Sequence, residues 1–134
     1  MTPEIESEIK RHTQLFGSYT KSGELKKVRV WLTLNEGKIE FLTSDRTLKA
    51  KRVSRNPRVI SFLGEHSVPG TAEVVRDKEA IWRTYRAYWK THPLMMIALA
   101  IPIRSKIKSG EQVLIRITPD EPNPFDKITD PAIN

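Results

Sequence analysis

The sequence contains no cysteine, which excludes disulfides, thiolate metal centres and a cysteine nucleophile and leaves the redox state of its compartment unconstrained. It also lacks a long apolar run. The longest, residues 94–103, is interrupted by Pro102 and is about half of what a bilayer-crossing helix needs. The opening Met-Thr-Pro-Glu-Ile-Glu has no apolar core of the secretory kind, so the expectations are a cytoplasmic location and no membrane partner. Catalytic signatures are missing too: there is no G-x-S-x-G, no P-loop and no G-x-G-x-x-G. His12, His66 and His92 stand far apart without metal-ligand spacing, so structural or surface roles and no metal site are expected. Aromatic residues make up only 7%, and none falls within residues 42–58, where a nucleic-acid surface would interleave them with its cations. Nucleic acid is disfavoured as a partner.

What is present suits one soluble domain. At 134 residues, 38% hydrophobic and 29% charged, the chain is long enough for a real core. The net charge of +7 points to anionic partners, and a phosphorylated cofactor, a membrane surface or nucleic acid would each satisfy a positive field. The domain is expected to span residues 1–134. Its tail, residues 119–134, holds four of the nine prolines and is expected to be irregular.

Residues 3–16 read as a helix, with Thr2 as cap, Pro3 in the first turn, Glu4 and Glu6 complementing the dipole, and Ile5, Ile9 and Phe16 near one face. Gly17 stops it, and residues 18–20 start a strand. Residues 25–34 then alternate: Val28, Val30, Leu32 and Leu34 point to the core, and Lys27, Arg29, Trp31 and Thr33 point away. A face carrying Arg29 beside Trp31 suits a polar or stacking site, and equally a solvent face with one exposed Trp. Asn35-Glu36-Gly37 is a hairpin turn leading to Ile39, Phe41 and Thr43 on the next strand.

Further on, Asn56-Pro57 ends a basic helix and residues 59–63 form a short strand. Residues 64–70 read as a loop and residues 71–75 as another strand. Asp77 caps a helix with Ile81, Tyr85, Tyr88 and Trp89 on one face, closed by His92-Pro93. Residues 94–101 fit a buried helical turn or two, residues 104–110 a basic loop, and residues 112–118 a last alternating strand. The expected fold is mainly β, in the α+β class: a six-stranded antiparallel barrel with peripheral helices.

The chain is organised around residues 41–59. From Arg46 to Arg58 there are six Arg or Lys residues and no acid. Helix N-terminal turns collect anions through free backbone N–H groups and the positive end of the dipole. Thr43, Ser44 and Thr47 add hydroxyls at that point and Lys49 follows two residues on, which makes a phosphate seat. On this stretch alone, a solvated basic helix joining two strands explains the residues equally well. With no catalytic constellation in the chain, reactivity would have to come from a bound cofactor.

Four segments together carry a likeness: Val28-Arg29-Val30-Trp31-Leu32, then Glu36-Gly37-Lys38-Ile39-Glu40-Phe41-Leu42-Thr43, then Thr47-Leu48-Lys49-Ala50-Lys51-Arg52-Val53, and then Asn56-Pro57-Arg58-Val59. They resemble the split β-barrel flavin-binding superfamily, which includes pyridoxamine 5′-phosphate oxidase and the F420-dependent reductases. The likeness is greatest to the short F420/FMN branch and runs from about Gly17 to Pro119, ending in a strand like Leu114-Ile115-Arg116-Ile117-Thr118-Pro119. It departs from that pattern at Gly23-Glu24-Leu25-Lys26-Lys27, where small glycine and proline residues are usual.

The resemblance implies a split barrel and an oxidoreductase binding FMN or deazaflavin F420 at a homodimer interface, with an unidentified small molecule as substrate. It implies that Arg29, Val30 and Trp31 lie against the ring, and that Thr43, Ser44, Thr47, Leu48 and Lys49 hold the phosphate. Lys51, Arg52 and Arg55 would suit the longer anionic tail of F420. A non-catalytic protein that stores a flavin, F420 or a haem-like ligand on the same fold is the alternative, because fold likeness does not name a reaction.

Overall fold

The computed structural model describes Ile9 and residues 12–121, so most of the helix expected over residues 3–16 lies outside them. Gln14, Leu15 and Phe16, assigned above to that helix, belong instead to strand β1 (Gln14–Tyr19). Both flanks of β1 are paired, and Phe16 is fully buried, so sheet pairing overrides a weak helical pattern.

The other strands are β2 (Leu25–Val30), β3 (Thr33–Asn35), β4 (Lys38–Ser44), β5 (Arg58–Leu63), β6 (His66–Val75) and β7 (Gln112–Pro119). The helices are α1 (Leu48–Arg55), α2 (Lys78–Thr91) and α3 (Pro93–Ser109). The described residues thus form a mainly β, α+β fold: one curled antiparallel sheet of seven strands, in the order β2-β1-β5-β6-β7-β4-β3, with three helices.

The count is seven rather than six because residues 25–34 are not one strand. Trp31 and Leu32 leave the ladder, and the segments on either side of them lie at opposite edges of the sheet. Three Cα steps separate Val30 from Thr33, a reach of at most about 11 Å. The sheet must therefore curl until its outermost strands meet at this corner. The alternation read from the sequence survives the break in part. Val30 and Leu32 are buried in the core, but Thr33, expected on the outward face, is buried and donates its hydroxyl to Glu40 O.

Two further expectations give way. Residues 64–70 are not a loop: β5 and β6 join through Gly64 and Glu65, and β6 already pairs from His66. Pro69 is tolerated there because its missing N–H falls just before the pairing of β6 with β7 begins at Gly70. Residues 104–110 are not a loop either. They continue α3 as far as Ser109, where Gly110, at φ 84°, caps it. Pro102 removes one rung of that helix but does not end it. The hairpin turn stands as read, with Glu36 and Gly37 at φ 50° and 79°, both in the left-handed region that a two-residue turn requires.

The pleat sorts the core into two layers. Ile39 and Phe41 of β4 and Val113, Ile115 and Ile117 of β7 pack inside the curl with Phe16, Leu32 and Val59. Their neighbours on the other face, Leu42 and Leu114, meet Ile81, Tyr85 and Tyr88 of α2 and Met96 and Ile107 of α3. Trp89, placed on that buried face by its spacing, is 41% exposed, and Trp82 packs there instead. Glu40, also on the outer face, is the one buried carboxylate among the described residues; Arg116 holds it at 2.7 Å and Arg83 at 3.4 Å.

Candidate functional site

The corner at Trp31 and Leu32 leaves two carbonyls without ladder partners, and α2 and its C-terminal cap, His92, supply them. Tyr88 Oη donates to Trp31 O at 2.9 Å and accepts from Leu42 N at 2.8 Å, tying the corner to β4. His92 Nε2 lies 2.8 Å from Leu32 O, and its ring stands 4.8 Å from that of Trp31. Burial raises the Tyr88 phenol far above its ordinary pKa, so this hydroxyl stays neutral and bonded.

Beside the corner lies a cavity of about 300 Å³. One wall is Arg29, Val30 and Trp31. A second is formed by Thr43, Ser44, Thr47 and Lys49, where β4 turns into α1. Thr47 caps α1, accepting from Ala50 N at 3.4 Å, and its hydroxyl lies 3.1 Å from that of Thr43. Ser44 Oγ accepts from Arg46 N at 3.2 Å. Hydroxyls and the first turn of a helix therefore converge on one spot. All the residues named for the site in the sequence line this cavity except Leu48, which is 63% exposed and points elsewhere. Lys51, Arg52 and Arg55 do not line it either.

The sequence reading missed the remaining wall. Helix α3 lies across the cavity and contributes Met95, Leu99, Pro102, Ile103 and Lys106, and Gln112 enters from β7. Met95, Leu99, Pro102 and Lys106 recur at helical spacing, a signal hidden once residues 104–110 are read as a loop. Lys49 is half buried, and its pKa is lowered first by that burial and then by the nearby charge of Lys106. Neither lysine forms an ion pair among the described residues. Gln112 is buried and its Oε1 has no hydrogen-bond partner among the described residues, although buried polar atoms are nearly always satisfied. No Asp, Glu or His is among the described lining residues. The arrangement is positive, hydroxyl-rich at one end, apolar along α3 and aromatic at Trp31.

No protein-family model and no curated protein matches the sequence. Solved structures do. A pyridoxamine 5′-phosphate oxidase-like protein of Listeria innocua superposes with a TM-score of 0.63 at 15% identity, over 88% of this chain and 92% of its own. The chain has the split β-barrel fold. An F420 reductase shares the split barrel with a TM-score of 0.57 at 14% identity, over 90% of this chain and 97% of its own. So does the haem storage protein HutZ of Vibrio cholerae, with a TM-score of 0.61 at 15% identity, over 88% and 87%. The resemblance drawn from the four segments thus holds at the level of fold, and these identities carry no more than that. Among the described residues, no helix is long and apolar enough to cross a membrane, and no cluster of acidic or histidine side chains could hold a metal.

Proposed function

We propose that the cavity seats a phosphate-bearing redox cofactor, FMN or F420, and that the protein is an oxidoreductase acting on a small molecule. The observation that carries this is the pair Lys49 and Lys106: two cations held close enough to disfavour each other, with no acid among the described lining residues. Such a pair raises the free energy of the empty site and lowers that of a site holding an anion. Thr43, Ser44 and Thr47 add hydroxyls, and the first turn of α1 adds its dipole.

The residues fit the group in chemistry. Lys49, Lys106 and the hydroxyls would hold the phosphate. Arg29, Val30 and Trp31 would flank the ring, with Gln112 offering a buried amide to a polar edge. The bound cofactor would supply hydride or electron transfer, and the protein would supply orientation and exclusion of water. A volume of about 300 Å³ is at the small end for ligand pockets, which suits the phosphate end and leaves ring surface outside. A second copy of the chain covering that surface as a two-fold dimer completes the site.

Absorbance titration of the purified protein with FMN and with F420 tests the reading and separates the two cofactors. Lys49→Ala is expected to weaken the binding of the preferred cofactor by about 1.5–3 kcal/mol, the range for a charge-assisted hydrogen bond. Unchanged affinity in a variant of native thermal stability removes the phosphate seat. Light scattering should find a dimer; a monomer that binds one cofactor per chain at full affinity rules out the shared site. The lack of a described acid or histidine in the lining also suits a protein that stores its ligand. Turnover of reduced cofactor in the presence of small-molecule acceptors decides between catalysis and storage.

A further inference from the structure

Helix α3 keeps one long stripe that neither the core nor the cavity uses. Leu94, Ile97 and Ile101 are 81%, 73% and 80% exposed, whereas an ordinary amphipathic helix turns such residues inward. At about 100° per residue, Leu94, Ile97, Ile101, Arg104 and Lys108 fall within about 80° of one another. The stripe is therefore apolar along the first turns of α3 and basic along the last. The cavity-facing residues Met95, Leu99 and Lys106 lie on a different side of the same helix, and Met96 and Ile107 lie on the buried one.

Along the chain, the charge from Ala80 of α2 to the end of α3 has one sign. From Ala80 to Gly110 the sequence contains six Arg or Lys residues and no Asp or Glu. Of these, Arg86, Lys90, Arg104 and Lys108 are exposed and form no ion pair among the described residues. Trp89, the one exposed aromatic among the large exposed hydrophobic residues, lies one residue before Lys90 at the end of α2.

We infer that this stripe is a docking surface for an anionic lipid bilayer, on which α3 lies with Leu94, Ile97 and Ile101 among the acyl chains and Arg104 and Lys108 at the headgroups. Peripheral membrane binding needs an apolar face and a set of cations together, and both are present here on one helix. This departs from the expectation of no membrane partner, which rested on the absence of a segment long enough to span; α3 is too short for that, but lying on a surface requires no such length. A second copy of the chain fits the stripe poorly. A two-fold contact sets each patch against itself and would face Arg104 and Lys108, neither ion-paired among the described residues, with their own copies. Nucleic acid would leave the three aliphatic tips without a partner, because single strands are held by aromatic stacking. The surface is separate from the cofactor cavity, so its failure and the failure of the cofactor reading are distinguishable.

The test is co-sedimentation of the full chain with phosphatidylcholine vesicles and with vesicles in which about a third of the lipid is phosphatidylglycerol. Binding is expected to the anionic vesicles, to be weaker on the neutral ones, and to decline with added salt. Ile97→Gln with Ile101→Gln should reduce vesicle binding about tenfold or more while leaving the thermal melt and cofactor titration unchanged, since both side chains are solvated. Arg104→Gln with Lys108→Gln should abolish the preference for anionic lipid. No binding to either vesicle overturns the inference, as does binding that the Ile97/Ile101 variant leaves intact. It is overturned too if light scattering shows that variant turning a dimer into a monomer, because the stripe is then covered by a second copy.

Discussion

Replacing Tyr88 with Phe removes one oxygen atom and should cost far more than that suggests. Tyr88 Oη joins the Trp31 corner to β4, donating to one backbone carbonyl and accepting from one backbone N–H. Phe fits the same space but strands Leu42 N–H and Trp31 C=O behind α2, where water has little access. Two lost hydrogen bonds and a stranded buried donor give a destabilisation of about 2–4 kcal/mol. For a chain of this size that is a fall in Tm of roughly 6–16 °C.

Thermal and urea unfolding measure it directly. Tyr85→Phe serves as the control, because Tyr85 is also buried, in the same helix, but its hydroxyl makes no hydrogen bond among the described residues; it should change stability by less than about 0.5 kcal/mol. The pH dependence adds a second check. The folded phenol of Tyr88 titrates far above the unfolded value of about 10, so its contribution is complete below pH about 10 and is lost as pH rises beyond that. Tyr88→Phe should lack this alkaline loss. Equal melting of wild type and Tyr88→Phe, or an equal loss in both Tyr variants, refutes the role given to this hydroxyl.

Lys106→Ala should stabilise the cofactor-free protein by about 0.5 kcal/mol, the scale of a surface charge pair, while weakening cofactor binding; denaturation and titration of one preparation read both. Because the folded pKa of Lys49 is lowered, the cofactor-free protein should gain stability as pH rises from that lowered value towards 10.5, and Lys106→Ala should shrink the gain. Gly70→Ala places a Cβ 2.6 Å from Thr118 O and 3.1 Å from Ile117 Cγ2, with backbone on one side, so a loss of about 1–3 kcal/mol is expected by urea unfolding.

Much of this fold was legible because the strands near the site alternate cleanly. Val28 and Val30 on one side of β2 and Lys27 and Arg29 on the other are sorted by the pleat, and Asn35-Glu36-Gly37 announces its turn through φ preferences that few residues tolerate. The break between Trp31 and Leu32 was not legible. Nothing local marks it; it exists because two distant sheet edges meet there and Tyr88 and His92 satisfy the freed carbonyls. Helix α3 was misread for a different reason. Its apolar residues point in three directions, to the core, the cavity and the solvent, so no single periodic face stands out, and Pro102 imitates a terminator. With α3 cut short, Lys106 could not be set beside Lys49. The half of the cavity carried by β4 and α1 could be read from neighbouring residues, and the half that depends on tertiary packing could not.

The strand order has a consequence for how this chain behaves at high concentration. An open sheet edge presents unpaired N–H and C=O groups on which another chain can grow as an extra strand, the route to aggregates and fibrils. Here the outer strands are β2 and β3. β2 carries exposed Lys26, Lys27 and Arg29 within six residues, so a second copy arriving at that edge meets its own charge. β3 is only three residues long and runs straight into the Glu36-Gly37 turn, too short to template a partner. The same Arg29 that borders the cavity therefore also guards an edge, and neutralising the cations of β2 removes a barrier to polymerisation.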